Sequence, residues 1–119
     1  MKDMKNFGIY EGRLYKDPVF FQNANGSETV ILAVARKRSF GEESDFIEFH
    51  GFNGKDVKNH GVYGYLQTGD KVTIQFSLRS GRSEKSDGTT AYYQSLLIED
   101  LDIAESKDVR EARRAAQKA

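Results

Sequence analysis

The sequence contains no cysteine. That excludes a disulfide framework and any thiolate metal site. Histidine is scarce as well: only His50 and His60 are present, too small a set for a zinc centre. No cofactor or metal is expected. Tryptophan is absent, and Pro18 is the single proline. No apolar run approaches a membrane span, and the opening residues do not read as a signal peptide. The expectation is a soluble, cytoplasmic protein with no membrane partner. Neither sign of charge dominates, with 18 basic and 18 acidic residues. That balance neither announces nor excludes nucleic acid, because local distribution matters more than the total. A chain of 119 residues suits one domain with one modest core.

What the sequence does have is aromatics, at 12%, and eleven glycines. Short strands joined by tight turns follow from that mixture. "FGIYEGRLY" (7–15) reads as a first strand, in which Gly12 permits a bulge or a close backbone approach. "KDP" ends it, since Pro18 cannot donate to a central ladder. Asn25-Gly26 is the strongest hairpin signal. "ETVILAVARKR" (28–38) is a second strand, with Val30, Leu32 and Val34 on one face. A polar loop carrying Phe40 follows, then a third strand in "SDFIEFHGFNGK" (44–55). Val57, Tyr65 and Leu66 hint at a short helix that Gly61 and Gly64 weaken. "KVTIQFSLR" (71–79) alternates cleanly, with Val72, Ile74, Phe76 and Leu78 facing in. Residues 80–90 read as a long polar loop before a last strand, 91–103. In that strand the apolar parity slips near Glu99-Asp100, as one extra residue in a bulge would produce. Three strands, a short helix and two strands is the order of an all-β, five-stranded Greek-key OB-fold barrel. The division expected is a domain over 1–104 and a short charged C-terminal helix or tail over 105–119. Removing that tail is expected to leave the fold intact.

The third strand poses a question. Alternate residues of a strand face opposite sides. Ile47 and Phe49 therefore share one face, and Phe46, His50 and Phe52 share the other with Glu48 between them. One face fills the core. The second is either a stacking surface for bases or is covered by the helix or another subunit, and the residues alone leave both open.

Several pieces of the sequence, taken together and in order, resemble the bacterial and phage single-stranded DNA-binding protein family. They are "GRLYKDP", "LAV", "DFI" with a phenylalanine six residues after Phe46, "YLQTGDKV", and "DGT" before a tyrosine-bearing last strand. They span roughly residues 8–103. The resemblance implies sequence-tolerant binding of single-stranded DNA by an OB-fold that assembles mostly into homotetramers. It also implies service in replication or recombination beside other proteins of those pathways. It places Phe46 and Phe52 on the third-strand stacking positions and Phe40 near the second-strand one. Two features depart from the family. "RSGRSEK" (79–85) lacks an aromatic found there in many members, and "REARRAAQKA" closes the chain where cellular members carry an acidic tip. The brevity resembles phage or mobile-element versions, for which the compartment is the host cytoplasm.

Arg36, Lys37 and Arg38 form one basic run, and Arg79, Arg82 and Lys85 another. Both are candidates for phosphate contact, the interaction that supplies most non-specific affinity. Tyr92 and Tyr93 face opposite ways, and Tyr92 is taken as the one that covers a base. His50 reads as a polar neighbour of the phenylalanines. Glu99, Asp100 and Asp102 raise a metal-dependent nuclease as an alternative, but an acidic edge that discourages strand pairing accounts for them better. A protein-interaction module on the same fold is the third reading. The expectation is a non-enzymatic DNA binder.

Overall fold

The computed structural model describes residues 5–118, so what was expected of residues 1–4 and 119 lies outside the described residues. The strands are β1 (Gly8–Leu14), β2 (Val19–Gln22), β3 (Glu28–Lys37), β4 (Ser44–Asn53), β5 (Lys71–Glu84) and β6 (Thr90–Ile103). A 3-10 segment, Lys58–Tyr65, links β4 to β5, and helix α1 (Lys107–Lys118) follows β6. The strands pair in the order β1-β5-β6-β4-β3-β2, and β1 also pairs with β3. That last pairing closes five of them into a ring, with β2 as a flap on the outer edge of β3.

The ring closes over only two pairs, Arg13 with Ala35 and Leu14 with Val34. Gly12 makes this approach possible: a Cβ there would run into the Ala35 carbonyl oxygen. The core inside is built by alternation. Val30, Leu32 and Val34 of β3, Phe49 of β4 and Val72 and Ile74 of β5 are all fully buried, with Leu14 beside them. Tyr63 and Leu66 add buried side chains from the 3-10 segment and the residue after it.

Three elements and one side chain differ from the expectation. Six strands replace five, because Val19–Gln22 resumes pairing directly after Pro18. Pro18 interrupts the chain between two ladders and costs neither of them a hydrogen bond. The expected polar loop over 80–90 is largely strand: β5 runs to Glu84, β6 starts at Thr90, and the two pair to the end. Backbone pairing needs no apolar side chains, so this ribbon has no hydrophobic signature. Leu78 lies where the ribbon leaves the ring and is 56% exposed rather than inward. The expected short helix is a 3-10 segment interrupted by left-handed Asn59, His60 and Gly61, and it buries Tyr63 while Tyr65 stays exposed. Its bend is held by His60, whose ring stacks on Phe20 at 3.7 Å and whose Nδ1 lies 2.7 Å from Glu28. The bulge falls where the parity slip places it: Gln75 faces Asp100 and Phe76 faces Ile98, leaving Glu99 unpaired.

Helix α1 is tied to the ring by a buried carboxylate. Asp70 is fully buried in the turn before β5. It accepts hydrogen bonds from Arg113 at 2.6 Å, from Arg114 at 2.5 Å and from the Gln67 N–H at 3.0 Å. Glu105 repeats the pattern, accepting from Arg13 and from the Lys71 N–H. Burial pushes both carboxyls upward, but these donors outweigh it and hold both below the usual carboxylate range. The stability they contribute is therefore fully present above that range and disappears as pH falls through the depressed folded values. Replacing both Arg113 and Arg114 by alanine should cost about 1–3 kcal/mol for each charged hydrogen bond removed, read by urea unfolding at neutral pH. The deficit should shrink as pH falls through the depressed folded values, where the wild type gives up the same interactions. Deleting residues 105–119 should also destabilise the ring, and an unchanged urea midpoint would return the helix to the status of an accessory.

Candidate nucleic-acid interface

Strand β4 pairs with β3 along its whole length, from Ser44 opposite Lys37 to Asn53 opposite Glu28. Its parity is therefore fixed. Phe49 is fully buried, while Phe46 and Phe52 are each 61% exposed on the opposite face. Glu48 is exposed and His50 half-buried on that same outer face. Burying either phenylalanine against a base removes apolar surface from water that the fold itself leaves wet.

Tyr15 extends this row, and sequence reasoning missed it. Its N–H donates to the Ala33 carbonyl just beyond β1, and its ring meets Phe46 edge-on at 5.1 Å and 86°. The signal was available in the alternation of Arg13 and Tyr15 on the outward parity of the first strand.

On the other side of Phe52, a depression of about 610 Å³ opens between β4 and the β5–β6 ribbon. His50, Phe52, Arg79, Tyr93, Gln94, Ser95 and Leu97 line it. Tyr93 is the tyrosine that reaches it. Tyr92 pairs opposite Arg82 on the other face of the ribbon and is 78% exposed. The Tyr93 ring lies across Gly81, where a Cβ would collide with the ring's hydroxyl end. Arg79 is 3.6 Å from Glu99. Arg82 and Lys85 are farther out on the ribbon, and Phe40 is 91% exposed in the loop between β3 and β4.

The first basic run divides. Arg38 is bound within its loop, paired with Glu43 at 2.9 Å and with Asp45 through two bonds. Arg36 donates only to the Glu11 carbonyl, and Lys37 makes no ion pair among the described residues. Two members of the acidic run are engaged in the fold: Glu99 accepts from Ser77, and Asp100 accepts from the Leu101 N–H. Among the described residues, no three acidic or histidine side chains converge to hold a metal ion. Among them, too, no helix is long and apolar enough to cross a membrane.

Proteins that bind single strands combine aromatic platforms with a cationic groove, and the outer face here carries exposed aromatic rings with cations beside them. The family model described as the single-strand binding protein family matches residues 6–104, and the chain belongs to that family. It is 31% identical over 97 residues to a single-stranded DNA-binding protein of Clostridium perfringens, covering 80% of this chain. The match spans 63% of that relative's length.

Gly81→Ala tests how the Tyr93 ring is seated. The clash falls on the end of a flexible side chain, so stability should change by no more than about 0.5 kcal/mol. The Tyr93 ring resonances should shift in an NMR spectrum while those of Tyr63 stay put.

Proposed function

We propose that the chain binds single-stranded DNA without sequence preference and covers exposed strands during replication or recombination. One observation carries this reading: two phenylalanines are 61% exposed on one face of a strand whose other face holds a fully buried one. Bases stack on Phe46 and Phe52, with Tyr15 supporting Phe46 and Tyr93 closing the far depression beside His50. Phe40, at the tip of its loop, adds a further ring. Arg36, Lys37, Arg79, Arg82 and Lys85 neutralise phosphates, while Arg38 serves its own loop and Tyr92 the outer side of the ribbon. The five strands of the ring constitute the OB barrel of the family, and the compartment is the cytoplasm, of a host cell if the protein is phage-encoded. The name of the Clostridium relative supports DNA as the ligand.

Oligo-dT should bind well above duplex DNA, because stacking needs unpaired bases. Phe46→Ala and Phe52→Ala should each weaken that binding by roughly 1–3 kcal/mol, with little change in melting temperature. Phe49→Ala should do the reverse, costing about 3–5 kcal/mol of stability. Equal affinity for duplex, or loss of folding in the first two variants, would remove the stacking mechanism.

We also propose a homo-oligomer, and a tetramer by the family's habit. Strand β1 pairs with β3 only at Arg13 and Leu14, so its edge from Gly8 to Gly12 is open, with Ile9 60% exposed beside it. An open edge with an apolar neighbour is a template for another chain. Light scattering at micromolar concentration should report a dimer or tetramer, and a monomer would refute this assembly.

A further inference from the structure

Phe46 is one end of a row that crosses the ring. It pairs with Ala35 on β3, Ala35 pairs with Arg13 on β1, and Arg13 pairs with Lys71 on β5. Directly paired residues present their side chains on the same face. Four adjacent strands therefore carry Phe46, Ala35, Arg13 and Lys71 side by side on the outside. Gly12 and Ala35 have little or no side chain, and between the longer neighbours they leave a depression of about 470 Å³. Its walls bear Arg13, Arg36, Lys37 and Lys71, with the carboxylate of Glu11 among them.

The charge in this depression is not balanced. Arg13 is paired with Glu105, and Lys71 lies 3.4 Å from Glu11. Asp45 stands opposite Arg36 in the ladder but is held by Arg38. Four cations thus face two carboxylates: among the described residues Lys37 forms no ion pair, and Arg36 forms none either but acts on Glu11 at longer range. The site has cationic walls and a floor of small residues, and it begins at Ala35, one strand spacing or roughly 5 Å from Phe46.

We infer that this depression binds the sugar–phosphate backbone of the same single strand as it leaves Phe46, and that the strand turns there to cross β3 toward β1. The inference rests on the stacking reading above. It adds Arg13 and Lys71, and a direction for the strand that no residue of the aromatic row defines. Arg13 and Lys71 keep their acidic partners and act as shared donors, whereas Arg36 and Lys37, which form no ion pair among the described residues, gain one when a phosphate arrives.

The test is a salt titration of oligo-dT binding by the full chain. Lys37→Gln with Lys71→Gln should lower affinity several-fold at low salt. It should also reduce the slope of log affinity against log salt by about 1.4, at about 0.7 for each phosphate that is no longer neutralised. Lys37→Gln alone, at an exposed residue with no ion pair, should give about half that change and guards against a folding defect. A control pair with the same charge change, Lys58→Gln with Lys107→Gln, should leave the slope at its wild-type value. An unchanged slope in the first pair, or an equal drop in the control pair, overturns the inference. If Phe46→Ala and Phe52→Ala bind as the wild type does while the slope falls in the lysine pair, the stacking reading fails and the phosphate site stands. A wild type that binds no oligo-dT overturns both.

Discussion

The closure on which this ring depends is thin: two residue pairs join β1 to β3, and a single pair, His50 with Leu97, joins β4 to β6. Strand β1 reaches β3 only at Arg13 and Leu14, yet that contact turns a sheet with two edges into a ring with an inside and an outside. The closure is reinforced from below. The Leu14 N–H donates to the Asp70 carbonyl and the Gly69 N–H to the Leu14 carbonyl, so the turn before β5 grips the end of β1. The Asp70 side chain then takes the two arginines of α1. One short segment, Gln67–Lys71, thereby joins ring closure to the C-terminal helix. Once the ring is shut, alternation does the sorting: each strand sends one set of side chains into a single core and the other set to the outer face.

The parity of β4 was fully legible in the sequence, because Phe46, Phe49 and Phe52 have one chemistry and differ only in register. The bulge at Glu99 was legible for a related reason, since a bulge is the one local event that moves apolar residues from odd to even positions in mid-strand. The resemblance to the family was legible too, in pieces such as "YLQTGDKV" that carry the Asp70 turn. What stayed hidden was structure made by backbone and charge. The β5 side of the outer ribbon, residues 80–84, carries no apolar side chain, so no period betrays it. The anchoring of α1 depends on Asp70 being buried, and a sequence gives no sign that one aspartate among many polar residues sheds its water. The choice of Tyr93 over Tyr92 depends on whether position 81 or 82 lies opposite, which is a matter of register across a hairpin of unknown turn length.

Net charge illustrates the same limit from another side. A total of zero conceals two populations of basic residue. Arg13, Arg38, Arg113 and Arg114 are committed to carboxylates that hold loops and the helix in place. Arg36 and Lys37 are not committed, and they flank the exposed aromatic row through their place at the end of β3. The acidic residues divide in a complementary way, with Asp70 and Glu105 engaged by the helix and Glu99 by Ser77 in the bulge. An electroneutral chain can therefore present a cationic face, provided that its carboxylates are engaged elsewhere.

Under the proposed function, that arrangement separates stability from binding at very short range. Phe49 and Phe46 are three residues apart, and the strand's alternation alone sends one to the core and leaves the other in water. Because β4 is paired with β3 over ten residues, a ligand pressing on Phe46 and Phe52 meets a rigid ladder and not a loop. In the proposed stacking, rings held this way would give up little further conformational freedom, so more of the stacking energy would be realised as affinity. The cost is borne in the unbound state, where two large apolar side chains stay solvated. The edge contact of Tyr15 on Phe46 reduces that cost without blocking the ring faces, since a T-shaped neighbour covers the rim and leaves a face for a base.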